Sequence, residues 1–253
     1  MRRYNTFSKI VKSYFSSDKI INFYSNLKLR SEEKILFERY LKNKGNVLDL
    51  FCATGRNAIF LAKKGFYVIG VDNNKKMIKK ARELAKNEKI NNIKFFCIDV
   101  SKIKFKQESF DYIIAMENSL EHVPNSYTRQ KIFKKIFGVL KKGGTFITSF
   151  HSIFYPPMPS IFINYIENFC KILLSKNQQK FNDVIFKDRE SNLFIYAHYF
   201  TPFEIKIIIK SCGFSSYKIF SINELNQKNN KIKNIKIYSF LRPFLYCYYI
   251  IKK

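Results

Sequence analysis

The chain contains no tryptophan, and its 253 residues include only eight glycines and six prolines. Acidic residues are also scarce, 19 against 46 Lys and Arg, for a net charge of +27. Arginine is rare in turn, with nine of the 46 basic residues. No run of 18 apolar residues is free of charge, so no membrane-crossing helix is expected. The basic start, MRRYNTFSKIVKSYF, lacks the apolar stretch of a secretory signal. The five cysteines are scattered, odd in number and form no CxxC pair. Neither a zinc site nor a disulfide framework is expected, no metal is assigned, and a reducing cytoplasm is the simplest compartment.

Hydrophobic residues make up 46% of the chain, enough to core one large domain or a domain with an insertion. The charge leaves two readings open. One is an anionic partner, either RNA or an anionic membrane surface. The other is coding composition, since Lys, Asn, Ile and Phe are abundant while Gly and Trp are poor. Arginine, the better bidentate phosphate ligand, is the scarce cation.

Along the chain, residues 1–45 read as helical, with Ser31 as an N-cap and Gly45 as the residue beyond a helix C-terminus. From residue 46 to 150, strand and helix patterns alternate. VLDL is a short apolar strand, and Thr54 to Lys64 a helix stopped by Gly65. FYVIGVD is a strand with both faces apolar, and Asn73 or Asn74 caps the next helix. NIKFFCIDV, FDYIIAME and GTFITSF complete five strands, the last two separated by an amphipathic helix. This pattern predicts an α/β fold, a doubly wound and mostly parallel sheet whose ligands sit at the carboxyl ends of the strands. Residues 151–200 break the rhythm and read as a loop followed by a helix over Ile161 to Leu174. Thr201, Pro202 and Glu204 then open a further helix. FSSYKIFSI is a sixth strand, and YCYYIIKK a seventh, read as the edge of the sheet, with a membrane-contacting tail as the alternative.

Chemistry concentrates in VLDLFCATGRNAIFLAKKGFYVIGVDNN, Val47 to Asn74, where one strand ends in a small-residue turn and the next ends at Asp72. An acid at that place on its own reads as a helix cap or turn residue. Asp99, before Ser101, reads likewise as a turn former. A nicotinamide-binding fold also places an acid after its second strand, but FCATGR lacks the G-x-G-x-x-G it requires.

The order of elements over residues 46–150, supported by 201–221, resembles that of class I S-adenosylmethionine-dependent methyltransferases, with a seven-stranded Rossmann-like sheet. VLDLFCATG resembles the family's first motif: Asp49 and Gly55 are in place, while Phe51 and Ala53 stand where glycines are usual. The resemblance implies S-adenosylmethionine as cofactor. The implied binding residues are Asp49, Phe51, Cys52, Ala53, Thr54 and Gly55 in the turn, and Asp72 and Asn73 at the ribose. Asp99 and Val100 would hold the adenine, and Met116 and Glu117 the methionine part. NSLEHVP resembles the loop that closes over the transfer site, making His122 and Glu121 the candidate catalytic groups. His151, Tyr155, His198 and Tyr199 are candidate lining of the acceptor pocket.

The implied organisation is a helical N-terminal lid (1–45), a cofactor core (46–150), an acceptor-choosing cap (151–200, carrying Phe154, Tyr155, Phe162, Tyr165 and Phe169) and a C-terminal completion of the sheet (201–253). The implied reaction is methyl transfer to O, N or C of a small-molecule acceptor. Transfer to RNA or to a lipid or quinone is the alternative, and the departures at Phe51 and Ala53 also admit a binding protein without catalysis.

Overall fold

The computed structural model describes residues 2–151, 182–188, 191–226 and 246–253. Three helices, α1 (Arg2–Ser16), α2 (Asp18–Asn26) and α3 (Ser31–Tyr40), precede the first strand. The α/β alternation follows as β1 (Asn46–Leu50), α4 (Arg56–Lys63), β2 (Tyr67–Asp72), α5 (Lys75–Asn87), β3 (Ile93–Cys97), β4 (Phe110–Ala115), α6 (Ser126–Val139) and β5 (Leu140–Phe150). After the interruption come β6 (Asp183–Lys187), β7 (Phe194–His198), α7 (Pro202–Ser211), β8 (Ser216–Ser221), α8 (Ile222–Asn226) and β9 (Cys247–Lys252).

Seven strands form one sheet in the order β3-β2-β1-β4-β5-β9-β8. Strands β1 to β5 pair in parallel, whereas β9 runs antiparallel to both β5 and β8. The last strand is therefore interior, and the sheet ends at β8, contrary to the edge position its sequence suggested. The burial of each strand gives the reason. Cys247 to Ile251 are all buried, as an apolar run covered on both faces must be, while β8 is half exposed.

Apolar side chains fill both faces of the sheet. Val47, Leu48, Leu50, Ile113 and Ile114 are wholly buried, each worth about 1.5–3 kcal/mol over exposure. Several boundaries differ from the sequence pattern. Helix α3 starts after Arg30, whose backbone N–H donates to Glu33 Oε2 at 3.0 Å, so Ser31 is the first helical residue and not the cap. That helix stops at Tyr40, and Gly45 serves another purpose: a Cβ there would lie 2.6 Å from Asp111 Oδ2, which accepts the N–H of Asn46. Thr54 and Gly55 belong to the turn before α4. Thr201 does cap α7, its hydroxyl accepting the Glu204 N–H at 3.0 Å.

The stretch read as loop and helix contains a hairpin, β6 paired antiparallel with β7. Its signal was present: DVIFK and FIYAH are β-branched and aromatic runs separated by the mostly polar DRESNL. The helix expected over Ile161 to Leu174, and the aromatic residues Phe154, Tyr155, Phe162, Tyr165 and Phe169, lie outside the described residues.

Candidate active site

The turn after β1 has an unusual backbone. Phe51, Ala53 and Gly55 have φ values of 57°, 47° and 84°. Two L-residues thus hold the left-handed conformation natural to glycine, at a cost of roughly 1–2 kcal/mol each. The turn keeps its shape because it is tied at several points. Cys52 N–H donates to the Val71 carbonyl at 3.1 Å, and Gly55 N–H to the Cys52 carbonyl at 2.8 Å. Thr54 is buried, and its hydroxyl donates to the Tyr24 carbonyl of α2 at 2.9 Å.

Asp72 closes the turn from the neighbouring strand. One carboxylate oxygen accepts the Ala53 N–H at 3.0 Å and the other the Asn74 N–H at 2.9 Å. Burial pushes its pKa up, opposed by these backbone donors. Asn74 is the cap of α5, accepting from Lys76 and Met77, and its amide donates to the Phe15 carbonyl of α1 at 2.7 Å. Asn73 is exposed and offers its carbonyl to the Cys97 thiol. Asp99 is half-buried and accepts the Ser101 N–H at 2.8 Å, capping a single 3-10 turn, with Val100 buried beside it. Asp49 differs from the other acids: it is buried, one oxygen has no partner, and desolvation raises its pKa to about 8.

Strand β4 ends at a second strained corner. Met116 is buried, and Glu117 and Asn118 have φ values of 52° and 54°. Consecutive left-handed residues of this kind persist where the surroundings over-determine them, often at functional sites. Glu117 pairs with Arg30 Nε and Arg56 Nη2, each at 3.0 Å. Arg56 also holds the buried Glu33 at 2.8 Å. Sequence reading passed over both arginines. Arg56 directly follows Gly55 in the motif and was a visible signal, whereas Arg30 reaches the site only because α3 packs beside it. Asn118 Oδ1 and Ser119 Oγ are buried without partners.

The following turn carries Glu121 and His122. Glu121 is buried, and its carboxylate accepts both the His151 backbone N–H and, at 2.9 Å, the His151 Nδ1 proton. Asn118 Nδ2 approaches the same imidazole at 2.9 Å, and the Tyr199 ring centroid lies 5.5 Å away. Glu121 therefore orients His151. His122 is linked instead to the hairpin: its Nδ1 proton goes to the Tyr196 carbonyl at 2.8 Å, leaving Nε2 as the basic nitrogen. Burial lowers its pKa, which keeps the ring neutral near pH 7. Phe15 of α1 stands edge-on to it, with centroids 5.2 Å apart.

His198 does not have the character of pocket lining. It is fully buried, with Nδ1 at 2.7 Å from Asp183 and Nε2 at 3.0 Å from Glu204. Tyr196 donates its hydroxyl to the same Asp183 oxygen at 2.7 Å. The wholly buried Arg129 donates to the Val123 carbonyl and lies 3.8 Å from Glu204. Arg129 brings a positive charge to these carboxylates, and the cluster fastens the hairpin to α6 and α7. Tyr155 lies outside the described residues. Among the described residues no group of three His, Cys, Asp or Glu could hold a metal ion, and no helix is long and apolar enough to cross a membrane.

The seven-stranded sheet, with its turn after β1 and acid after β2, defines a Rossmann-like methyltransferase fold. Residues 47–144 match the family model of a methyltransferase domain. A putative methyltransferase, YqeM, from Bacillus subtilis is 33% identical over 117 residues, 46% of this chain and 47% of that protein. A demethylmenaquinone methyltransferase from Listeria welshimeri is 28% identical over 144 residues, 56% of this chain and 58% of that protein. The chain thus spans about half the length of the curated relatives it matches. An S-adenosylmethionine-dependent methyltransferase from Methanosarcina mazei shares the fold, with a TM-score of 0.66, 22% identity and coverage of 89% of this chain and 97% of that one. Residues 47–144 thus resemble a methyltransferase domain, and the chain shares the fold of S-adenosylmethionine-dependent methyltransferases.

Proposed function

We propose that the protein transfers a methyl group from S-adenosylmethionine to an O, N or C atom of a small-molecule acceptor. The observation that carries this reading is the pair of strained corners after β1 and β4, the first bonded to Asp72 and the second containing Glu117 with its two arginines. The donor set fits. The Asp72 carboxylate suits the ribose hydroxyls, and Glu117 suits the ammonium of the methionine part. Arg56 and Arg30 suit its carboxylate, in exchange for their present pairing with Glu117. The unpartnered Asn118 Oδ1 and Ser119 Oγ sit in the same loop, ready for a polar group.

When bound, S-adenosylmethionine supplies a methyl already activated by its positive sulfur. The protein's part is then alignment, exclusion of water and, for an acceptor that must lose a proton, a base. His122 Nε2 is the base in this reading, because the ring is neutral and its tautomer is fixed by Tyr196. Glu121 positions His151 at the rim of the same loop. Helices α1 and α2 serve as the lid: Ile20 and Ile21 pack with Met77, against Phe15, Tyr24 and Ala53, across the ends of β1 and β2. Apolar walls of this kind favour a small, partly apolar acceptor, as does the demethylmenaquinone named for one relative. A cytoplasmic location belongs to the same reading.

Calorimetric titration with S-adenosylmethionine, followed by turnover with a panel of demethylated quinones and phenols, tests the proposal. Cofactor binding with methylation of a panel member, lost on His122→Ala while binding persists, is the expected result. Failure to bind the cofactor would leave the protein a methyltransferase-like fold without the activity.

A further inference from the structure

Strand β3 ends the sheet, so its outer edge has no strand partner. Two grooves of about 470 and 570 Å³ run between that edge and α5. The first has an apolar floor that includes Ile90, Ile93 and Phe96, with Lys86, Lys89 and Lys94 on its walls. The second runs past Lys75 and Lys79 to Cys97, with Glu83 also on its wall. Both are bordered by Arg82 and Lys86, so they join into one track.

The cations on the track are placed regularly. Lys75, Lys79, Arg82 and Lys86 follow one another at four, three and four residues, a single stripe about 16 Å long. From Lys75 to Lys94 there are eight basic residues against Glu83 and Glu88, a ratio of four, whereas the whole chain has 46 against 19. The excess is thus concentrated here beyond the general composition. The two carboxylates pair with Lys80 and Lys63, and among the described residues no carboxylate pairs with Lys75, Lys79, Lys86, Lys89 or Lys94. The apolar residues Met77, Ile78, Ala81 and Ala85 of α5 are buried, so the helix offers no apolar wedge for a bilayer. Phe96, beside the track, is 38% exposed.

We propose that this flank binds single-stranded RNA, with the backbone phosphates along the lysine stripe and a base stacked on Phe96. A linear track of two joined grooves suits a strand better than a single headgroup, and an exposed ring with a cationic wall is the usual means of holding unpaired bases. Lysines act as point charges, so binding should depend little on sequence. The track lies on the flank of α5 and β3, meets the cofactor residues only where Cys97 reaches the Asn73 carbonyl, and stands whether or not the chain methylates anything.

Fluorescence anisotropy with a labelled 15-nucleotide oligouridylate, titrated from 50 to 200 mM salt, tests it. Lys79→Gln, Lys86→Gln and Lys89→Gln together should weaken binding about tenfold and lower the salt slope by about 2. Phe96→Ala should weaken it about fivefold with the slope unchanged. The matched control, Lys131→Gln, Lys134→Gln and Lys142→Gln on another exposed surface, should stay within twofold. An equal loss in the control would mean bulk charge alone and overturn the site, as would the absence of binding at 50 mM salt. Co-sedimentation with phosphatidylglycerol vesicles that is lost in the track variants, while oligouridylate binding is not, would transfer the surface to a membrane and also overturn the proposal. All these side chains are exposed, and equal thermal midpoints verify that the variants fold.

Discussion

Asp72 Oδ2 accepts the backbone N–H of Ala53 at 3.0 Å, tying the end of β2 to the turn after β1. The same carboxylate is the group proposed to hold the ribose. Asp72→Asn keeps an acceptor for Ala53 but removes the charge. It should weaken S-adenosylmethionine binding by about 1.5–3 kcal/mol, the scale of a charged hydrogen bond. Calorimetry on the folded variant decides the point, and an unchanged affinity removes Asp72 from the ribose.

The strain at that turn predicts opposite signs for two similar changes. Ala53→Gly relieves about 1–2 kcal/mol of left-handed strain and loses about 0.4–1 kcal/mol to the freer unfolded chain, for a net gain of roughly 0.5 kcal/mol. Phe51→Gly gains the same relief and meets the same unfolded-chain cost, but it also removes a partly buried ring packed on the main core, worth about 1–2 kcal/mol. It should be less stable than the parent. Urea midpoints of the two variants should therefore move in opposite directions.

The two arginines on Glu117 should separate clearly. Arg30 is 41% exposed, and Arg30→Ala should cost less than about 1 kcal/mol of stability. Arg56 is 12% exposed and is the partner of Glu33, which is 1% exposed. Burial already pushes the Glu33 pKa up, and Arg56→Ala would leave that carboxylate without its cation, at about 3 kcal/mol. Similar losses for the two variants in denaturant unfolding would contradict this assignment.

As the proposed base, His122 should set the acid limb of activity. Its pKa is lowered by burial, so the rate should fall, as Nε2 is protonated, at a pH below histidine's ordinary value. His122→Ala should reduce kcat about 10²- to 10⁴-fold for an acceptor that must lose a proton, with cofactor affinity unchanged. A full rate in that variant would remove the base.

Asp49 should make stability depend on pH in the reverse sense to an ordinary carboxylate. Its folded pKa, about 8, lies above the ordinary 3.8, so the folded state keeps a proton that the unfolded state has released. That contribution is fully present below pH 3.8 and is lost as the pH rises to 8. Asp49→Asn cannot titrate, so the difference in thermal midpoint between variant and parent should shift in favour of the variant across this window. A constant difference would show that Asp49 does not titrate there.

Local pattern made much of the core legible. Apolar runs bounded by Gly and Asn gave the strands, three-to-four spacing gave the helices between them, and Asp72 and the turn were visible as neighbours in register. The roles of Glu121 and His198 were not legible. Each is an ionisable residue near an expected site, and only the packing shows that one orients His151 while the other is enclosed by Asp183 and Glu204. Arg30 was hidden for the same reason, since its partner Glu117 is 87 residues away.

The sequence by itself determined the elements of the α/β core and the acids at their carboxyl ends, because periodicity and turn chemistry act over a few residues. The tertiary structure decided where the last strand inserts, that Phe51 and Ala53 adopt glycine's conformation, and which His122 nitrogen carries the proton. Those outcomes depend on contacts between distant segments: β9 on β5, Asp72 on Ala53, and Tyr196 on His122. Burial and hydrogen bonding across such distances set both pKa and backbone strain, and neither is written in the spacing of neighbouring residues.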